Sequence, residues 1–240
     1  LRILDLRPED GWATDPDALA ALLTPRTRLV SITNPHNPTG AVLDEAALRR
    51  IVDIVEAHPV ARLLVDETYR EMAYGGALPP AATRSRRVIG VSGMSKSYGL
   101  PGIRAGWLTT RDPDLMTTFL AAKEQIHITG SLIDEAIAAR ALERRAELLP
   151  GILDGIAAAL ATTRAWLAGE PRLDDAHRDI QGLTVRGGEE VAFGREVGVQ
   201  DLRRDPQIGD DVGDACLAVA VPGEFTGGDG EDGAASLFFL

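Results

Sequence analysis

Short apolar runs alternate with amphipathic stretches through the first 110 residues of this chain. A strand needs neighbours on its edges and an amphipathic helix needs a face to cover, so this alternation leaves few architectures open. Arg2–Leu6 and Arg28–Thr33 read as strands, with a helix predicted from Asp15 to Leu23 between them. Asp44–His58 reads as a helix, acidic at its start and with Leu48, Ile51, Val52 and Val55 at helical spacing. Arg62–Asp66, Arg87–Ser92 and Gly106–Thr109 follow as further strands. The βαβ order predicts an α/β fold: a mostly parallel sheet covered by helices, with any ligand beyond the carboxyl ends of the strands.

Helices are expected to dominate from about Pro113 to Gly169, with an interruption near Pro150, because proline removes a bond from the helix ladder. Beyond Pro171, residues 182–186, 191–193 and 217–221 read as strands of a smaller α+β unit. The expected division is a large domain over 1–160 and a small one over 161–240.

Composition narrows the class. A net charge of −11 and the lack of a basic stripe argue against a nucleic-acid partner. No apolar run approaches the roughly 20 residues that cross a bilayer, so no membrane role is expected. The start, Leu1-Arg-Ile-Leu-Asp5, lacks signal-peptide character, and the single Cys216 permits no internal disulfide. A cytoplasmic protein is expected. Asp205 to Leu240 carries eight acidic residues and no Lys or Arg, and Thr226–Gly233 reads as an acidic loop. Neither the four histidines nor the carboxylates show metal-ligand spacing, so no metal is expected.

The candidate chemistry falls after the strands. Of 25 basic residues only Lys96 and Lys123 are lysines. A chain so committed to arginine keeps a lysine readily where a primary amine is needed, since a guanidinium stays protonated and cannot form a Schiff base. Lys96 lies in Ser92-Gly-Met-Ser-Lys-Ser-Tyr-Gly-Leu-Pro-Gly-Ile-Arg-Ala-Gly-Trp107, a run rich in glycine and hydroxyls. Two other motifs follow earlier strands: Asn34-Pro-His-Asn-Pro-Thr-Gly40 and Asp66-Glu-Thr-Tyr69. Taken singly, each residue has a plainer reading: Lys96 a surface charge, Asp66 a cap, Asn37 a turn residue, Tyr69 a packing residue, Arg104 a salt bridge. Their order and spacing favour a shared site.

Together these motifs resemble the class I/II aminotransferases, pyridoxal 5′-phosphate (PLP) enzymes of fold type I. Residues 34–40 are similar to that family's NPxNPTG turn, 66–69 to its D-x-x-Y strand end, and 93–106 to its lysine signature. The resemblance is clear from residue 1 to about 145 and fades beyond Arg186. It implies that Lys96 carries the cofactor as a Schiff base and then moves protons. Asp66 would pair with the pyridine nitrogen, and Asn37 and Tyr69 would donate to the ring's phenolic oxygen. Arg104 would grip the phosphate, with Ser95 adding a hydroxyl. His36 occupies the variable position of its motif and is expected only to fill the loop. The implied partners are an amino donor and a 2-oxo acid acceptor, and the implied assembly is a homodimer. The run Ser97–Arg104 is also similar to relatives in actinobacterial specialised metabolism, including enzymes that modify arginine-derived amino acids.

Three departures leave alternatives open. Relatives carry a long segment before the point where this sequence starts, holding a second phosphate turn, a ring-stacking aromatic residue and much of the dimer interface. They often place Ser or Thr three residues before the lysine, where this chain has Gly93. Near their ends an arginine binds the substrate carboxylate, whereas here Val221-Pro-Gly-Glu-Phe225 is a residue short and Ser236 stands near the arginine's place. An aminotransferase acting through Lys96 is therefore weighed against a catalytically incompetent member of the same family. A PLP-dependent lyase, decarboxylase or oxidase is the further alternative.

Overall fold

The computed structural model describes residues 1–73, 76–169 and 236–239. Its centre is a five-stranded sheet in the order β1 (Leu29–Thr33), β2 (Arg62–Asp66), β3 (Val88–Gly93), β4 (Gly106–Thr110) and β5 (Ser236–Phe239). The first three strands are parallel, and β4 and β5 each run antiparallel to their predecessor. The architecture is α/β as expected, with a mixed sheet among the described residues. β3 and β4 need only the connection 94–105 between them, short enough for an antiparallel return without a crossover helix.

Two helices cover the parallel strands. Helix α1 (Pro16–Leu22) starts where the Asp15 carboxylate accepts the Asp17 amide at 2.8 Å. Helix α2 (Glu45–Ala57) is capped in the same way by Asp44, which accepts the Ala47 amide at 2.7 Å. Its stripe of Leu48, Ile51, Val52 and Val55 is buried against Val30, Leu63, Val65 and Val88 of the sheet. On β2, Leu63 and Val65 are buried and Leu64 is half-buried, the alternation of a strand with one face on the main core.

Three helices follow the sheet: α3 (Pro113–Ile126), α4 (Leu132–Glu143) and α5 (Arg145–Ala168). Asp112 caps α3 and also pairs with Arg62 at 2.7 Å, which ties the helix start to β2. A second core joins Ala138 and Ala141 of α4 to Met94, Tyr98 and Ala105 of the β3–β4 connection.

Three expectations require correction. Arg2–Leu6 forms no strand: the segment pairs with no described strand, and it is held instead by packing of Leu4 on the main core and by an Arg2 bond to the Leu22 carbonyl at 3.3 Å. The helical region is not interrupted at Pro150, which lies inside α5; the break falls at Arg144. Pro150 lies near the start of α5, and the carbonyl its ring opposes, four residues back, is that of Ala146 inside the helix, which continues through it. As a result α5 is one 24-residue helix with a stretch of mean hydropathy 1.2, long and apolar enough to cross a membrane, contrary to the expectation that no segment reaches that length. Residue 160, where the large domain is expected to end, lies inside this helix, and residues 170–235 of the expected small domain lie outside the described residues, so the division itself is untested. The strands read at 182–186, 191–193 and 217–221, the turn at 221–225 and the acidic loop lie outside the described residues. Ser236 pairs with Thr110 as the first residue of β5.

Candidate cofactor site

The register of the sheet gathers the three motifs. Thr33, Asp66 and Val91 are aligned across β1, β2 and β3, so the segments after these strands emerge at the same end of the sheet. Antiparallel pairing of Gly93 with Gly106 brings the start of β4 to that end as well. Asn37, Asp66–Tyr69, Ser95–Lys96 and Arg104 therefore all belong to connections at the carboxyl end of the parallel strands.

Each connection is rooted by a buried neighbour of the residue it presents. In the first, Asn34 is buried and its side-chain oxygen accepts the Leu43 amide at 2.8 Å, while Asn37 is exposed. His36 is half-buried and shares a 2.8 Å hydrogen bond with Thr39, and burial holds its imidazole below the ordinary value. The peptide bonds Asn34–Pro35 and Asn37–Pro38 are both cis.

In the second connection Asp66 is half-buried, and one oxygen, Oδ1, accepts the Thr68 amide at 2.9 Å. The other oxygen has no hydrogen-bond partner among the described residues. Tyr69 is half-buried and opens the one-turn helix Arg70–Met72.

In the third, Met94, Ser97 and Tyr98 are buried around an exposed Lys96. The Met94 amide bonds to the Ala105 carbonyl at 2.9 Å, and the Leu100 amide to the Met94 carbonyl at 3.0 Å. Tyr98 meets Trp107 edge to face at a centroid distance of 6.1 Å, and burial pushes its phenol up to about 12, so it packs as a neutral ring. The Lys96 ammonium has no hydrogen-bond or ion-pair partner among the described residues. Arg104 is exposed and adopts a left-handed backbone, φ 45° and ψ 38°, a conformation that is uncommon for residues with a side chain. One of its guanidinium nitrogens donates to the Pro101 carbonyl at 3.2 Å. Gly93 lies where β4 passes close: a Cβ there would be 3.2 Å from the Ala105 carbonyl oxygen.

Hydrogen bonds join the three connections. The Asn34 amide donates to the Asp66 carbonyl at 2.9 Å, the Ser92 hydroxyl to the Glu67 carbonyl at 3.2 Å, and the Ser97 hydroxyl to the Thr68 carbonyl at 2.8 Å. Asn34, Glu67 and Ser97 lie outside the residues expected from the sequence to touch a ligand. The signal for Glu67 was the strand alternation itself, which places it on the side of Leu63 and Val65.

The donor set comprises an unpaired amine, a carboxylate with one free oxygen, a phenol, an exposed amide, a hydroxyl and an exposed guanidinium. These fit a phosphorylated pyridine aldehyde, which needs an amine for its carbonyl, an anion for its ring nitrogen and a cation for its phosphate.

Comparison with known proteins bears on the same residues. The chain is 33% identical over 227 residues to capreomycidine synthase of Streptomyces vinaceus, covering 85% of this chain and 57% of that protein. It is 34% identical over 167 residues to an aromatic amino acid aminotransferase of Mycolicibacterium smegmatis, covering 68% and 42%. A PLP-dependent aminotransferase structure from Streptococcus suis superposes with a TM-score of 0.62 at 31% identity, covering 69% of this chain and 44% of that one. The chain thus spans about half the length of the relatives it matches. The family described as aminotransferase class I and II matches residues 1–171, which include all three motifs, and membership implies PLP as cofactor and an enzyme lineage. By this match, and by a fold shared with PLP-dependent aminotransferases, the chain belongs to the class I and II aminotransferases.

Proposed function

We propose that the protein holds PLP on Lys96 and transfers an amino group from an amino acid or related amine to a 2-oxo acid. The observation that carries this reading is the convergence of the three motif connections at one sheet end, tied by the Asn34–Asp66, Ser92–Glu67 and Ser97–Thr68 bonds. When bound, PLP supplies an electron sink for charge developing on the substrate α-carbon. The chain's own residues do the rest. Lys96 would hold the cofactor through its amine and would serve as the acid/base that moves a proton at the substrate α-carbon. Asp66 offers its free oxygen to the ring nitrogen and keeps that nitrogen protonated. Asn37 and Tyr69 donate to the phenolic oxygen, which favours its charged form. Arg104 holds the phosphate in a planar fork, assisted by Ser95.

The assembly we propose is a homodimer. Ile126, Ile128, Leu132 and Ile133 are each at least 72% exposed, an apolar run that a second copy would cover. Sedimentation of the purified protein checks it, with a concentration-dependent dimer expected.

The function test mixes the PLP-loaded protein with amino acids, starting with aromatic ones, and measures 2-oxo acid formation with and without an added 2-oxo acid acceptor. Transamination is expected to require the acceptor for more than one turnover. Cofactor capture without any turnover favours the incompetent-member reading, 2-oxo acid formation that ignores the acceptor favours an eliminating lyase or an oxidase, and release of CO2 and an amine favours a decarboxylase.

A further inference from the structure

Glu67 follows Asp66 directly, yet it is only 8% exposed and takes no part in the proposed chemistry. A buried carboxylate is unfavourable unless fixed donors hold it, so its place needs a reason. The side chain passes over Gly90, where an added Cβ would lie 2.8 Å from Oε2 and 2.8 Å from the Thr109 hydroxyl. That corridor exists because residue 90 has no side chain. At its far end Oε1 accepts the Ala81 amide at 3.0 Å, in the turn Ala81–Thr83, where Ala81 and Ala82 are fully buried.

The backbone of Glu67 is held as firmly. Its amide donates to the Val91 carbonyl at 2.8 Å, and its carbonyl accepts from the Arg70 amide at 2.9 Å and the Ser92 hydroxyl at 3.2 Å. Side chain and backbone together join the Asp66–Tyr69 turn to β3 on one side and to the Ala81–Thr83 turn on the other. From there the order passes to the site: Asp66 is held by the Thr68 amide, and the Thr68 carbonyl takes the Ser97 hydroxyl next to Lys96.

We infer that Glu67 is a positioning residue: its buried carboxylate clamps the Asp66–Tyr69 turn to the Ala81–Thr83 turn and so fixes how Asp66 and Tyr69 face the cofactor. The inference rests on the cofactor reading given above for those two residues. Burial raises the Glu67 pKa above the ordinary range, against the nearby Arg70 and Arg84 and with Glu71, in keeping with a group retained for geometry rather than for charge.

The test compares the parent protein with Glu67→Ala and Glu67→Gln. Three quantities are read: PLP affinity, the pH midpoint of the bound cofactor's absorbance, and hydrogen exchange at the Thr68 and Arg70 amides without PLP. Glu67→Ala is expected to weaken PLP binding by on the order of tenfold or more, shift the midpoint and speed exchange at both amides. Glu67→Gln, whose amide oxygen can accept the Ala81 amide, is expected to restore all three. Parent-like affinity, midpoint and exchange in Glu67→Ala would overturn the inference. So would losses in both variants that only track a fall in melting temperature, which would leave Glu67 a general folding residue. A parent that binds no PLP would sink the cofactor reading alone; exchange in the two variants would still decide the clamp.

Discussion

Helix α2 buries four large apolar side chains within thirteen residues, whereas α5 buries only Leu167 within twenty-four. The same contrast separates the sheet and its covering helices from the helical region after Asp112. In the first, Leu48, Ile51, Val55, Leu63, Val65 and Val88 are sealed within the chain's own fold. In the second, Ile126, Ile128, Leu132, Ile133, Ile137 and Trp166 face outward, and part of that surface lines an open groove along α4, bordered by Leu148 of α5. Both regions lie inside the family match. The difference teaches that the sheet and its covering helices close the main core by themselves, with α4 completing the packing behind the Lys96 connection, while the later helices otherwise carry apolar surface suited to being covered. It also bears on α5: its membrane-compatible length coincides with a stretch belonging to the aminotransferase family.

The largest expected contrast is chemical and sets the two lysines against each other. Lys96→Arg should abolish covalent capture of PLP, because a guanidinium forms no Schiff base, whereas Lys123→Arg on α3 should retain it. Borohydride trapping and peptide mass measurement check both. The next contrast is in stability. Ile51→Ala, in the sealed core, should cost about 2–5 kcal/mol in denaturant unfolding. Ile133→Ala, on the outward face, should stay within about 0.5 kcal/mol. A larger loss at Ile133 that grows on dilution would sharpen the comparison by showing that a second copy covers that face.

A smaller effect follows from Glu67. Its raised pKa means that the folded chain keeps a proton the unfolded chain has already released. The stability this contributes is complete below the ordinary glutamate value and is lost as pH rises towards the raised one. Thermal unfolding of the parent should show that decline, and Glu67→Gln should flatten it. Smallest of all, Gly93→Ser should lower the melting temperature slightly, since β4 must give by a few tenths of an ångström at the Ala105 carbonyl. The same substitution should strengthen PLP binding modestly if the new hydroxyl reaches the phosphate.

Much of the fold could be read from the sequence because periodicity reports burial directly. The α2 stripe and the strand over Arg62–Asp66 stand where periodicity places them, and Asp15 and Asp44 act as caps at the helix starts. Arg2–Leu6 was misread because strand character depends on a partner strand, and pairing is not a local property. Pro150 misled because a ring near a helix start removes only one bond of the ladder, and α5 runs on through it. At the candidate site, the residues that would touch a cofactor were legible as motifs. Those that fix the motifs to one another were not: the Ser97 bond to Thr68 and the Glu67 bond to Ala81 span 29 and 14 residues of sequence and depend on strand register.

The account stands most directly on Lys96. Titrating the purified protein with PLP, reducing with borohydride and mapping the labelled peptide should give a yellow complex and a single adduct, on Lys96. An adduct on Lys123, or none in a protein that is demonstrably folded, would contradict the account.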